Sequence, residues 1–421
     1  MYIGDYLGRR ELYSPDKLAI IDAGKTPELR LTFAAWNRRV NRLAHWLRDG
    51  AGVGYRDRVA ILAQDGVEHL DVFHACSKLG AIHTALNWRL HWRELAGIVA
   101  NTTPQVLIYP DKFKDVVGEI VQATAGAAHA IAHLVHLDGD GLPGSHRYDD
   151  LLVAAPGTPV AYGALEAEDI ACLLFTGGTT GLPKGAQISH RQLCWNVLNT
   201  VIHDVQHDDI YLNVFPLFHT GGLFTYLSSQ VVFGNTTILV KQFDPAQVLD
   251  LIQRERVTIF AAVPTMYQML TQAPNWGTAD LSSLRFCTSG GAPLPVPLVE
   301  QYTREKGVRF KQGFGMTEYG PGLFALPPED AIRKAGSIGR PNFFVDVRVV
   351  DAENRPLGPH QPGELIIKGP SGCSGYWNDP EASAAVLDAE GWFHTGDIVE
   401  YDEAWYFYVR DRKKDMFISG G

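Results

Sequence analysis

The run LLFTGGTTGLPKG at residues 173–185 carries the clearest chemical signal in the chain, an apolar strand leading straight into a loop of Gly, Thr and one Lys. Glycines such as Gly177, Gly178 and Gly181 let successive backbone N–H groups turn toward an anion. The hydroxyls of Thr176, Thr179 and Thr180 add donors, and Lys184 adds positive charge, so the loop is suited to cradle phosphate. It is not a Walker A loop: Lys184 follows Pro183, and Gly185 stands where that motif needs a Ser or Thr for magnesium. Two other patterns carry less. GDGLPG at 139–144 satisfies G-x-G-x-x-G, but Pro143 and the SHRYDD that follows do not open a helix as a dinucleotide site requires. His129, His133 and His136 fall at helical spacing, yet LVHLDG ends as a strand, so the three do not share a face for a metal. No G-x-S-x-G elbow or H-E-x-x-H is present, which removes the commonest hydrolase readings.

Positioning such a loop needs a scaffold, and the rest of the chain supplies its pattern. Phe33, Trp36, Val40, Leu43 and Leu47 recur every three or four residues, predicting a helix over 31–50 that Gly50 can end. Residues 58–63, 81–86 and 105–109 read as strands, with a helix at 72–79. The alternation resumes after residue 168 with strands ACLLF, TTILV and VTIFAAV and the helix LVEQYTREKG, which argues for parallel sheets. Beyond Gly339 the texture changes to short alternating strands, VDVRVVD, GELIIKG and YFYVRDR. The expected fold class is α/β: two subdomains with mostly parallel sheets, at 1–165 and 166–338, plus a small β-barrel-like subdomain at 339–412. A surface connection is expected near 154–163.

With 421 residues and 46% hydrophobic composition, the chain can bury more than one core. A formal net charge of -10 gives no electrostatic reason to expect nucleic acid or anionic lipid as a partner. Cys76, Cys172, Cys194, Cys287 and Cys373 are scattered without a C-x-x-C pair, as in a reduced, cytoplasmic protein. The N-terminus lacks the apolar run of a signal peptide, and no stretch of 18 apolar residues occurs, so a soluble protein with no integral membrane segment is expected.

Four more segments follow the loop in order: CTSGGAPLP at 287–295, QGFGMTEYG at 312–320, GWFHTGD at 391–397 and VRDRKKDMFISGG at 409–421. Together the five resemble the motifs of the adenylate-forming superfamily, which holds acyl-CoA synthetases, luciferases and peptide-synthetase adenylation domains. The resemblance covers essentially the whole chain. It implies the large N-terminal, AMP-binding domain of that fold at 1–412, with a hinge at 413–421 that includes Lys414. It implies ATP, Mg²⁺ and coenzyme A as cofactor and co-substrates, a carboxylic acid as substrate, and room for a homodimer. On this resemblance, Gly290, Gly291, Ala292, Pro293, Gln312, Gly313, Phe314 and Gly315 face the adenine side, where Phe314 offers an aromatic face to a purine. Thr317 would donate to the α-phosphate, and Glu318, with Thr179, would hold Mg²⁺. Asp397 would accept both ribose hydroxyls, with Arg412 as a second ribose contact.

The segment VFPLFHTGGLFTYL at 214–227 resembles the family's acyl pocket, and it assigns Phe218, His219, Gly222, Leu223 and Phe224 to the acid. Peptide-synthetase domains usually carry an Asp here for the substrate ammonium. None lies between Val214 and Val240, so an apolar, fatty or aryl acid is favoured over an amino acid, whose charge would be buried unpaired. The implied reaction joins the acid to AMP with release of pyrophosphate, assisted by Lys184, Thr317 and Glu318, and then passes the acyl group to coenzyme A. The family's C-terminal domain of roughly a hundred residues, which rotates at the hinge, would lie beyond Gly421. Loading of a carrier protein and non-catalytic nucleotide binding are the rival functions.

Overall fold

A computed structural model describes residues 4–126, 131–160, 165–176 and 183–412. Apolar runs too short for helices, such as VAI at 59–61 and LLF at 173–175, form the strands of three sheets. The first has seven strands in the order His146–Arg147, His133–His136, Val106–Tyr109, Arg58–Ile61, Ile82–Ala85, Ile170–Thr176 and Lys184–Ser189. Its neighbours run parallel except the last pair, an antiparallel hairpin with Thr176 opposite Lys184. The described ends of the expected phosphate loop, Thr176 and Lys184, therefore stand side by side; Gly177, Gly178, Thr179, Thr180 and Gly181 lie outside the described residues, as do His129 and Lys414.

The second sheet has nine strands: Arg340–Pro341, Gly320–Leu326, Phe310–Met316, Phe286–Gly290, Ile259–Ala262, Ile210–Asn213, Thr236–Leu239, Leu18–Asp22 and Leu29–Thr32. From Phe310–Met316 through Leu18–Asp22 it is parallel. The third sheet, Asp346–Val350, Gly363–Lys368, Phe393–Tyr401 and Phe407–Arg412, is antiparallel throughout.

The subdomain boundary expected at 165/166 is not where the sheets divide. Strands Ile170–Thr176 and Lys184–Ser189 complete the first sheet, while Leu18–Asp22 and Leu29–Thr32 belong to the second. Strand Leu18–Asp22 finds a partner at Thr236–Leu239, a pairing with no local signature. The largest apolar core accordingly draws on both sheets, with Ile20 and Leu239 of the second beside Val59, Ile61 and Leu174 of the first.

Two helices differ from expectation for stated reasons. The helix expected over 31–50 starts at Phe33, because Leu31 and Thr32 extend a strand and the Thr32 hydroxyl caps the helix by accepting from Ala35 N–H. The helix expected at 72–79 runs Val67–Leu79, and its residues are buried on every face except at Leu79. A helix enclosed on all sides has no polar stripe, so periodicity reveals only part of it.

Candidate active site

In an open α/β sheet, ligands bind beyond the carboxyl ends of the strands, where the strand order reverses. Here the reversal is at Ile210–Asn213, since the next strand, Thr236–Leu239, joins one side of it and Ile259–Ala262 the other. The segment leaving that strand end is the one assigned to the acid. Next along the sheet come the ends of Phe286–Gly290 and Phe310–Met316, paired so that Gly290 lies beside Gly313.

Strand Phe310–Met316 turns back through Thr317 and Glu318 into Gly320–Leu326. A Cβ on Gly315 would lie 2.5 Å from the Gly320 carbonyl oxygen, so the hairpin closes this tightly only over glycine. Thr317 and Glu318 are buried at the turn, 8% and 7% exposed. Glu318 Oε1 accepts a hydrogen bond from the Tyr376 hydroxyl at 2.6 Å. On the other side, Lys184 Nζ stands 5.3 Å from the centre of the same Tyr376 ring. The lysine of the hairpin and the carboxylate of the turn thus meet through one tyrosine.

The floor between these loops is polar and incompletely bonded. Gln312 Oε1 accepts from Leu294 N–H at 3.0 Å, while its amide nitrogen, like the neighbouring Ser289 hydroxyl, is buried without a partner among the described residues. Buried polar atoms are rarely left so, which makes both candidates to meet a ligand. Gly291, Ala292 and Pro293 form an exposed lip above them. Phe314 is half-buried, its ring edge-on to Phe324 at 5.7 Å.

Asp397 belongs to strand Phe393–Tyr401 and is 4% exposed, paired at 3.1 Å with Arg412, whose side chain is 73% exposed. Burial pushes the Asp397 pKa up, against the pull of Arg412, and the negative charges of Glu318 and Glu364 push it further. The charge of Glu318 is among those that act on Asp397, which sets the carboxylate of the third sheet near the Thr317–Glu318 turn.

On the acyl side, His219 has a structural duty: its Nδ1 accepts from Gly221 N–H at 3.2 Å and caps the short helix Thr220–Phe224. Its ring is open to solvent, yet the protein atoms crowded round it lower its pKa by desolvation. Gly222 is required by packing, because a Cβ there would lie 2.2 Å from the Pro216 oxygen. Leu223 and Phe224 are core residues, 0% and 1% exposed, with Phe224 packed on Phe73. Phe218 lies under the Arg89 guanidinium, 5.5 Å away. Arg89 and Lys112 also sit over Trp88, at 5.0 and 5.8 Å. These cations, Ser289 and Tyr376 are the site residues the sequence did not single out. The GYWN segment around Tyr376 and the NWR of 87–89, loops with an aromatic beside polar or charged groups, were the available signals.

Among the described residues no three His, Cys, Asp or Glu side chains converge as a metal cage. Glu318 alone fits a hard cation that takes its remaining oxygens from phosphate and water, the habit of Mg²⁺.

Parallel strand ends, a lysine-bearing hairpin and a buried Thr–Glu turn define a nucleotide-type α/β domain. The chain belongs to the AMP-binding enzyme family, whose sequence profile matches residues 9–377, and it has the fold of the large N-terminal domain of the adenylate-forming acyl-CoA ligases. It is 39% identical to a feruloyl-CoA synthase from Amycolatopsis over all of its length and 80% of that protein's, and 35% identical to an indoleacetate–CoA ligase of Aromatoleum aromaticum with the same coverages. The inhibitor-bound N-terminal domain of FACL13 from Mycobacterium tuberculosis superposes with a TM-score of 0.89 at 32% identity, over 97% of this chain and 98% of that one. The AMP complex of an O-succinylbenzoate coenzyme A synthetase from Bacillus subtilis gives 0.84 at 30% identity, over 99% and 80%. No described helix is long and apolar enough to cross a membrane.

Proposed function

We propose that this domain activates a carboxylic acid of apolar, aryl or fatty type with ATP to an acyl-adenylate, releasing pyrophosphate, and serves its transfer to coenzyme A. The observation that carries the reading is the Lys184–Tyr376–Glu318 arrangement at the strand ends, with Asp397 close enough to Glu318 to feel its charge. A carboxylate is a weak nucleophile, and its approach to the α-phosphorus sets anion against anion. Lys184 neutralises phosphate oxygens, and Thr317 donates its hydroxyl to the α-phosphate. Mg²⁺ held by Glu318, with Thr179 as the further ligand the motif suggests, would supply further charge neutralisation when bound. Asp397 and Arg412 hold the ribose, the residues from Gly290 to Pro293 and from Gln312 to Gly315 hold the base, and the glycines and threonines of 176–181 hold the phosphates.

Phe218, Leu223 and Phe224 give the acyl side its apolar character, and His219 stands at its mouth. The acids in the relatives' names, ferulate and indoleacetate, are aromatic, which supports an apolar acid here. Arg89, over Phe218 and Trp88, and Lys112, over the same Trp88, place two cations together on this side, suited to the phosphates of coenzyme A. The reading is tested by pyrophosphate exchange with a panel of aryl and straight-chain acids, followed by thioester formation with coenzyme A against a carrier protein. Exchange is expected with at least one apolar acid and to fall about 10² to 10³-fold in Glu318→Gln, with AMP affinity within about threefold of the parent. Exchange with no acid, or equal losses of exchange and AMP affinity, would refute it.

A further inference from the structure

Tyr376 is 7% exposed and stands between the first sheet, where it bridges to Ala186, and the Glu318 turn of the second. Around it, residues 373–377 form a strap tied on both sides. Cys373 N–H donates to the Glu318 carbonyl at 2.6 Å, while Gln187 N–H donates to Gly375 O at 2.9 Å and Trp377 N–H to Gly185 O at 2.8 Å. One flank of the strap therefore holds the strand that returns from the phosphate hairpin, and the other holds the Thr317–Glu318 turn. Tyr376 N–H is itself fixed by the Ser383 hydroxyl at 2.8 Å. With its backbone so determined, the side chain meets Lys184 on its ring face and Glu318 at its hydroxyl.

Two opposite charges this near in a buried cleft would otherwise attract strongly and neutralise each other. No ion pair joins Lys184 to Glu318; each instead meets Tyr376, the lysine over its ring face and the carboxylate at its hydroxyl. The ring face satisfies the ammonium by a cation–π contact, which leaves its three protons free for anions, and the hydroxyl occupies one oxygen of the carboxylate, fixing its rotamer. We propose that Tyr376 is a positioning residue that orients the Glu318 carboxylate toward a metal–triphosphate and keeps Lys184 from pairing with it; this rests on the nucleotide-activating reading above.

Tyr376→Phe removes only the hydroxyl and keeps the buried ring under Lys184. Calorimetry of ATP binding with and without Mg²⁺ reads the effect apart from turnover. Metal-free ATP affinity is expected to stay within twofold, while the gain in affinity that Mg²⁺ confers falls about tenfold or more, the usual scale for a lost hydrogen bond to a charged group. Acyl-adenylate formation should drop about 10- to 100-fold in kcat with the KM for the acid unchanged. In a Glu318→Gln background, Tyr376→Phe should add less than twofold. Tyr376→Leu should also weaken metal-free ATP binding, because the ring that holds Lys184 is gone. The proposal is overturned if Tyr376→Phe leaves the Mg²⁺ dependence at the parent value, if the two substitutions multiply, or if the parent shows no Mg²⁺ dependence of ATP affinity. A parent chain that forms no adenylate but loses its Mg²⁺ dependence in Tyr376→Phe would refute the activity and leave the role of Tyr376 standing.

Discussion

Asp71 and Asp397 are both buried carboxylates facing an arginine, and they do opposite things. Asp71 is 0% exposed and saturated: Trp36 Nε1 donates to it at 3.1 Å, Arg39 Nε at 2.5 Å and the Tyr148 hydroxyl at 2.9 Å. Arg39 is itself largely enclosed and lies over the Tyr148 ring. Asp397 has Arg412 as its ion-pair partner, and that arginine is mostly in solvent. Burial raises both pKa values and neighbouring carboxylates push both further, Glu68 at Asp71 and Glu318 and Glu364 at Asp397; the difference is that the opposing attraction at Asp71 comes from an enclosed cation and at Asp397 from one in solvent. A closed network of this kind holds helices together. A buried acceptor with spare capacity, paired only with an arginine in solvent, is held for something that arrives later.

The sharpest way to break the comparison is Asp71→Ala. Removing it leaves the enclosed Arg39 with only its longer contact to Glu68, at 3.4 Å, and a broken buried pair costs about 3 to 5 kcal/mol. Urea unfolding should show that loss, with AMP affinity of the folded protein unchanged. Asp397→Ala should do the reverse, costing about 1.5 to 3 kcal/mol in AMP binding by calorimetry while the unfolding midpoint holds or rises. If Asp397→Ala unfolds the protein, the two aspartates are alike and the distinction fails.

A subtler effect follows from the raised pKa of Asp397. A carboxylate that binds its proton more tightly in the folded state lowers stability as pH rises through that pKa. Asp397→Asn should therefore be more stable than the parent at neutral pH, and the advantage should fade as pH falls toward the ordinary carboxylate value of 3.8. Parent AMP affinity should fall on acidification at a pH above that value, and the Asn variant should show no such step. Parallel denaturation and binding series over pH measure both. The smallest effect belongs to Arg412→Ala: its guanidinium lies mostly in solvent, where screening keeps an ion pair to about 0 to 1 kcal/mol, so stability should barely move and AMP affinity should fall less than in Asp397→Ala.

What could be read from the sequence was local chemistry. The strand leading to Thr176, the turn of Thr317 and Glu318, and several buried strands of the two large sheets, such as those at 58–63, 105–109 and TTILV, announce themselves through glycines, hydroxyls and apolar runs, because a few consecutive residues suffice to specify a turn or a strand; Leu18–Asp22 and Ile210–Asn213 did not. Helix Val67–Leu79 was half visible, since enclosure on all faces erases its period. Tertiary structure alone decided that Leu18–Asp22 joins the second sheet and that the hairpin of Ile170–Thr176 closes the first, because strand pairing depends on which partner the rest of the chain leaves available. It also decided that Leu223 and Phe224 lie in the core and that His219 caps a helix. Tyr376 reaches Glu318 across 58 residues, and no spacing rule connects them. Motifs name the groups that can do chemistry; only the packing of the chain brings one tyrosine to both a lysine and a glutamate.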